Sequence, residues 1–141
     1  PYVLIVCTPN GPIDAIHKAY KKYCDDIWAH QILSSCLLVD INNEQYVANL
    51  FGQARYGRDG IRYTDYEALY ESLERLVAQM IGINKKSVAF PYKMSSDRGG
   101  ADWNVVLAMI ESVFKNTDIT IADRNSVGST ISKTTIFDIF T

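Results

Sequence analysis

The stretch that most constrains this chain runs from Ser87 to Val113, SVAFPYKMSSDRGGADWNVVLAMIESV. Ser87 to Tyr92 is a short apolar run bounded by polar residues, which predicts a buried strand. From Asp102 onward apolar residues return at helical spacing through Trp103, Val106, Leu107, Ile110 and Phe114. Trp103 begins that stripe, and the spacing predicts it buried, pinning the preceding turn against the sheet. Between strand and helix, Ser95, Ser96, Asp97, Arg98, Gly99 and Gly100 supply small side chains and two glycines free to take positive φ. A turn of this kind brings the unpartnered N–H groups of a helix start, and the positive end of its dipole, to one place, which suits a phosphate or other anion. Plain tight connections also carry glycine, so the turn by itself leaves both readings open.

The remainder of the chain alternates in the same manner. Tyr2 to Cys7 is an apolar strand broken by Thr8-Pro9-Asn10-Gly11, and Pro12 suits a first helical position ahead of the face formed by Ile13, Ile16, Ala19, Tyr20, Tyr23 and Ile27. Asp25-Asp26 reads as a solvated face. Ser35 to Asp40 and Gln45 to Phe51 are strands joined by a turn at Asn42-Asn43, a hairpin or near-hairpin. Gly52 to Gly60 lacks periodicity and predicts a long exposed loop. A helix from about Thr64 follows, with Thr64 and Glu67 in capping-box spacing and a stripe of Tyr66, Leu69, Tyr70, Leu73, Leu76, Val77 and Met80. Gly82 ends it. Asp118 to Ala122 is a further strand, and Thr134 to Phe140 has strand composition after a polar stretch.

These elements predict a three-layer α/β architecture with a mixed sheet of five or six strands, in the order β α β β α β α β β. The loops after Cys7, Phe51, Tyr92 and Ile121 should then share one crevice at the carboxyl ends of the parallel strands. A length of 141 residues, 48% apolar and 21% charged, fits one domain. The opening on an apolar strand without methionine leaves room for an upstream piece.

Charge and cysteine usage exclude several classes. A net charge of −2, with no basic cluster beyond Lys21-Lys22 and Lys85-Lys86, gives no footprint for duplex nucleic acid. Cys7, Cys24 and Cys36 have neither CxxC spacing nor histidines nearby, so no disulfide framework, metal site or cofactor is expected. No apolar run reaches the ~18 residues of a membrane span, and PYVLIVCT lacks the basic start of a signal peptide, so a cytoplasmic location is expected. His17 and His30 are isolated, and lone histidines are more often packed or surface residues than general bases. There is no Walker loop, nucleophile elbow or dinucleotide fingerprint.

Three segments, PYKMSSDRGGADWNVVLAMIESVF, LIVCTPNG with IDAIHKAY, and VANLFGQ followed by TDYEALYESLERL, resemble macro domains, and most of all the phage and yeast branch of ADP-ribose 1''-phosphate phosphatases. The resemblance covers roughly residues 2 to 122, leaving 122–141 as an atypical C-terminal extension. In that branch the second turn reads Gly-Cys-Gly-Leu-Ala-Gly-Gly-Asp-Trp, and here the same length reads Ser95 to Trp103, with the Asp-Trp pair kept and the first glycines replaced. The first turn ends Cys-Asn-x-Asn-Gly in the family. Asn10 and Gly11 match its end, Thr8 replaces its first Asn, and Pro12 stands where a run of glycines would bring backbone donors to the ligand. The family's usual first strand has no counterpart before Pro1, and Thr134 to Phe140 is one candidate to fill its sheet position.

The resemblance implies two functions. In the first, a hydrolase removes phosphate or an ester-linked group from the distal ribose of ADP-ribose. Asn10 would hold the ribose, Asp14 or Asp102 would orient water, and Gly11, Ser95, Ser96, Asp97, Gly99 and Gly100 would line the ligand. Asp14 lies one residue short of the family spacing, and a helix-start aspartate is equally a plain stabiliser of the helix dipole. In the second, the domain keeps the fold without the chemistry and sequesters a nucleotide or contacts a protein partner. The replaced glycines weigh towards weak ADP-ribose binding and little or no phosphatase activity.

Overall fold

The computed structural model describes residues 3–6, 14–26, 32–42, 45–53, 61–91, 93–96 and 99–121. Strand β1 (Val3–Val6) leads to helix α1 (Asp14–Asp26), then β2 (Cys36–Asn42), β3 (Gln45–Leu50), α2 (Tyr66–Gly82), β4 (Ser87–Ala89), α3 (Trp103–Phe114) and β5 (Thr120–Ile121). The five strands form one sheet in the order β2-β3-β1-β4-β5. β2 and β3 pair antiparallel as the predicted hairpin, whereas β1 is parallel to both β3 and β4, and β4 is parallel to β5. The sheet is therefore mixed and the element order agrees with the sequence pattern up to β5. The strand expected at Thr134 to Phe140, and the whole 122–141 extension, lie outside the described residues.

Strand alternation divides the core between the two faces. Cys36, Ala48, Leu50, Val88 and Phe90 pack with Leu69, Leu73, Leu76 and Met80 of α2 and with Val106, Ile110 and Phe114 of α3. Fully burying each of the larger apolar side chains contributes about 1.5–3 kcal/mol. Phe90 meets Phe114 edge to face, with ring centroids 5.7 Å apart. Val47, Asn49 and Phe51 point the other way, where Tyr23 of α1 stacks on Phe51 at 5.5 Å. α1 thus covers one face and α2 and α3 the other, as right-handed crossovers require when the chain first moves from β1 to β3 and then back across β1 to β4 and β5.

Two local expectations need correction. α2 is capped by Asp65, whose carboxylate accepts the Ala68 N–H at 3.1 Å, and Thr64 is instead buried and turned towards the second loop. Trp103 is half-buried, packing against the core from its margin because it opens α3 at the sheet's end and not over its middle. Asp25 and Asp26 are exposed at the end of α1, as a solvated pair should be.

Candidate functional site

The reversal of the chain at β1 locates the crevice. The helix that follows β1 lies on one face, and the helices that follow its parallel neighbours β3 and β4 lie on the other, so the loops leaving these strands diverge at their carboxyl ends. Three segments meet that description: the one after β1, which holds Asn10 and Gly11; the 51–65 connection after β3; and the 90–102 connection after β4. Asn10, Gly11 and Asp97 lie outside the described residues. Asp14 is the first residue of α1, and its carboxylate is likewise outside what is described.

The other predicted residues come together in the second loop, which is built as a closed hydrogen-bonded turn. Met94 N–H donates to Pro91 O at 3.2 Å, Ser96 N–H to Lys93 O at 2.9 Å, and Ala101 N–H to Ser95 O at 3.0 Å. The Ser96 hydroxyl donates to Met94 O at 3.3 Å. Lys93 and Ser95 sit in the left-handed region at φ 56° and 65°, and Gly100 at 69°. Ser95 thus holds a conformation that glycine adopts without cost and that a residue with a side chain resists.

The loop is fastened to the segment before α2. Gly99 O accepts the N–H groups of Tyr63 at 2.9 Å and Thr64 at 3.0 Å. The Thr64 hydroxyl adds its one hydrogen, shared between Gly99 O at 3.1 Å and Ser95 O at 3.3 Å. A side chain at Gly99 would lie 2.5 Å from Thr64 Oγ1, 2.6 Å from Ser95 O and 2.9 Å from Gln53 Oε1. One at Gly100 would meet Ile61 O at 2.9 Å and the Arg62 Cα at 3.0 Å. Both glycines are therefore required by the protein's own packing.

Asp102 is placed at the mouth of this turn but acts as the N-cap of α3. Its carboxylate accepts the Asn104 N–H at 2.9 Å, and its carbonyl accepts from Val105 and Val106 at 3.0 and 3.1 Å. Its own N–H donates to the Tyr66 hydroxyl at 2.9 Å. An anion approaching this helix end meets a carboxylate already bonded to a first-turn N–H.

Two residues near the crevice carried no signal in the sequence. Arg62 is exposed and lies over the Tyr66 ring, 4.2 Å from its centroid. Asn49, at the carboxyl end of β3 and paired with Val6 of β1, is buried; among the described residues its Oδ1 has no partner and its Nδ2 makes a 3.4 Å bond to Leu37 O. A lone Asn within VANLF looks like an ordinary strand residue until its surroundings are known. Among the described residues no group of three or more His, Cys, Asp or Glu side chains gathers as a metal site, and no helix is long and apolar enough to cross a membrane.

No protein-family model matches the chain, and no curated protein matches it by sequence. Solved structures do resemble it. A macrodomain protein from Streptomyces coelicolor superposes with a TM-score of 0.63 at 19% identity, over 85% of this chain and 84% of that one. A protein of unknown function from Bacteroides thetaiotaomicron gives 0.64 at 19% identity over 85% of each chain. A second structure from the same organism gives 0.62 at 18% identity, over 85% of this chain and 86% of that one. At such identities the likeness concerns the fold: this chain has a three-layer α/β, macrodomain-like architecture.

Proposed function

We propose that this macro-like domain binds an ADP-ribose-type nucleotide in the crevice at the carboxyl ends of β1, β3 and β4, and holds it without turnover. The observation that carries the reading is the backbone of the second loop. Ser95 at φ 65° and Gly100 at φ 69° keep a glycine-type turn at the topological switch of the sheet, although Ser95 is a residue that resists that conformation. The sequence resemblance supplies the ligand class, and the macrodomain-like fold agrees with it.

Two features weigh against catalysis. The Asp102 carboxylate is bonded to Asn104 N–H as a cap, which constrains it as a group for orienting water. Pro12 contributes no N–H in the first loop, where the resembling domains gather backbone donors around the ligand. Binding that is equally strong in ground and transition states gives affinity without rate.

Titration calorimetry with ADP-ribose, run beside phosphate release from ADP-ribose 1''-phosphate, tests this directly. Weak saturable binding with no phosphate release is expected. Tight binding with release that Asn10→Ala abolishes in a folded protein returns the domain to the phosphatases. Absence of binding leaves a protein-interaction module as the better account.

A further inference from the structure

Arg62 is exposed, yet its guanidinium is held. The backbone on its C-terminal side is fixed by the Tyr63 and Thr64 N–H bonds to Gly99 O, at 2.9 and 3.0 Å, and its Cα is close enough to Gly100 to exclude a side chain there. The guanidinium lies over the Tyr66 ring, and Tyr66 in turn begins α2 and accepts the Asp102 N–H through its hydroxyl. One cation is thus positioned by the second loop, the start of α2 and the N-cap of α3 together. The N-cap carboxylates of α2 and α3, Asp65 and Asp102, each accept a backbone N–H of their own helix. Among the described residues Arg62 has no ion-pair or hydrogen-bond partner; the ion pair present there is Lys86 with Asp118, at 3.2 Å.

We propose that Arg62, stacked on Tyr66 beside Gly100, is the anion clamp of the crevice and takes the diphosphate of the bound nucleotide; this rests on the nucleotide reading above. A guanidinium whose carbon lies over the ring keeps N–H donors at its edges, and its planar fork suits two phosphate oxygens at once. The stack limits the rotamer freedom lost on binding. An arginine stacked on tyrosine for surface packing alone would show the same ring contact but no dependence on the ligand's phosphates, and that difference is measurable.

Calorimetric titrations of ADP-ribose, ADP and adenosine are to be compared for the wild-type protein, Arg62→Ala, Arg62→Lys and Arg75→Ala, at about 50 and about 200 mM salt. Arg75, exposed on the body of α2, is the control for lost surface charge. Arg62→Ala is expected to weaken ADP-ribose and ADP by roughly 10- to 100-fold, to flatten their salt dependence and to leave adenosine unchanged. Arg62→Lys should fall between, because it keeps charge without the planar fork, and Arg75→Ala should match wild type. Equal ADP-ribose affinity in wild type and Arg62→Ala overturns the clamp while leaving nucleotide binding intact. Equal loss of adenosine and ADP in Arg62→Ala also overturns it, since the residue would then support the site's shape. A wild-type protein that binds neither ADP-ribose nor ADP overturns the nucleotide reading and the clamp with it.

Discussion

Thr64 and Gly99 are bonded twice: the Thr64 N–H and hydroxyl both donate to the Gly99 carbonyl, at 3.0 and 3.1 Å, and the space for that hydroxyl exists because Gly99 has no side chain. The pair joins the start of α2 to the loop before α3. Thr64→Val keeps the shape and removes the hydroxyl, so it should cost about 1 kcal/mol, the net worth of one hydrogen bond. Gly99→Ala should cost more, about 2–4 kcal/mol, because the Ser95 carbonyl, 2.6 Å from the new Cβ, is backbone and cannot step aside cheaply. Urea titrations of the two single variants and the double variant should give non-additive losses. Additive losses would mean that the two residues stabilise the fold separately.

Ser95 bears a conformational cost at φ 65°, and among the described residues no hydrogen bond of its hydroxyl offsets it. Ser95→Gly relieves that cost while adding freedom to the unfolded chain, so a net gain of about 0.5 kcal/mol is expected in a denaturant titration. Nucleotide affinity should be equal or better, since the turn is unchanged in shape. A loss of stability would show that the serine hydroxyl has a role in the folded loop.

The architecture was legible because it follows from apolar periodicity. Leu69, Leu73, Leu76 and Met80 recur at helical spacing and are all buried, and the alternation through β3 sends Ala48 and Leu50 to one face and Val47 and Phe51 to the other. Thr64 and Asp65 are both good N-caps standing side by side, and a tertiary contact decides between them: Gly99 and Ser95 recruit the threonine and leave the cap of α2 to Asp65. Trp103 lies shallower than its spacing predicts, because spacing along a helix gives a face, not the distance of its first turn from the sheet's centre. In the site, the sequence indicated Ser95, Ser96, Gly99, Gly100 and Asp102 as neighbours. It gave no hint that Gly99 and Gly100 are glycines for the sake of Thr64, Ile61 and Arg62, since those contacts span more than thirty residues of chain. Arg62 over Tyr66 was hidden for another reason, since a charged residue four positions before a tyrosine reads as ordinary loop and helix surface, and the burial of Asn49 depends on the sheet around it.

Burial pushes the Cys36 thiol up from 9.0 to about 12 by excluding the thiolate. In the unfolded chain the same thiol ionises from about pH 9. Below that pH both states are protonated and Cys36 leaves stability independent of pH. Between about 9 and about 12 the unfolded state alone releases the proton, so stability falls as pH rises. Urea midpoints at about pH 8 and about pH 10.5 should therefore drop further for wild type than for Cys36→Ala, which lacks the group. The native thiol should also react slowly with thiol reagents at neutral pH. Equal drops in both proteins would show that Cys36 ionises freely in the folded state.

Asn49 sets a sharper test, because its two amide atoms are treated so unequally. Nδ2 reaches Leu37 O at 3.4 Å, a weak bond, while Oδ1 is enclosed with no donor among the described residues. A buried acceptor left unpaired costs about 1–3 kcal/mol, more than the long Nδ2 bond returns. Asn49→Val removes both atoms, suits a strand and changes volume little, so it should raise the stability of the ligand-free protein by about 1 kcal/mol in urea. Asn49→Asp provides the opposite case. It places a carboxylate where the amide is, and should lose several kcal/mol near neutral pH, with part of the loss recovered as the pH falls and the carboxyl is protonated. If Asn49→Val instead loses more than about 1 kcal/mol, Oδ1 has a donor in solution, and an ordered water bridging the ends of β1 and β3 becomes the simplest candidate. The polar residue would then hold the strand ends at the crevice, at a position where an apolar one would pack as well.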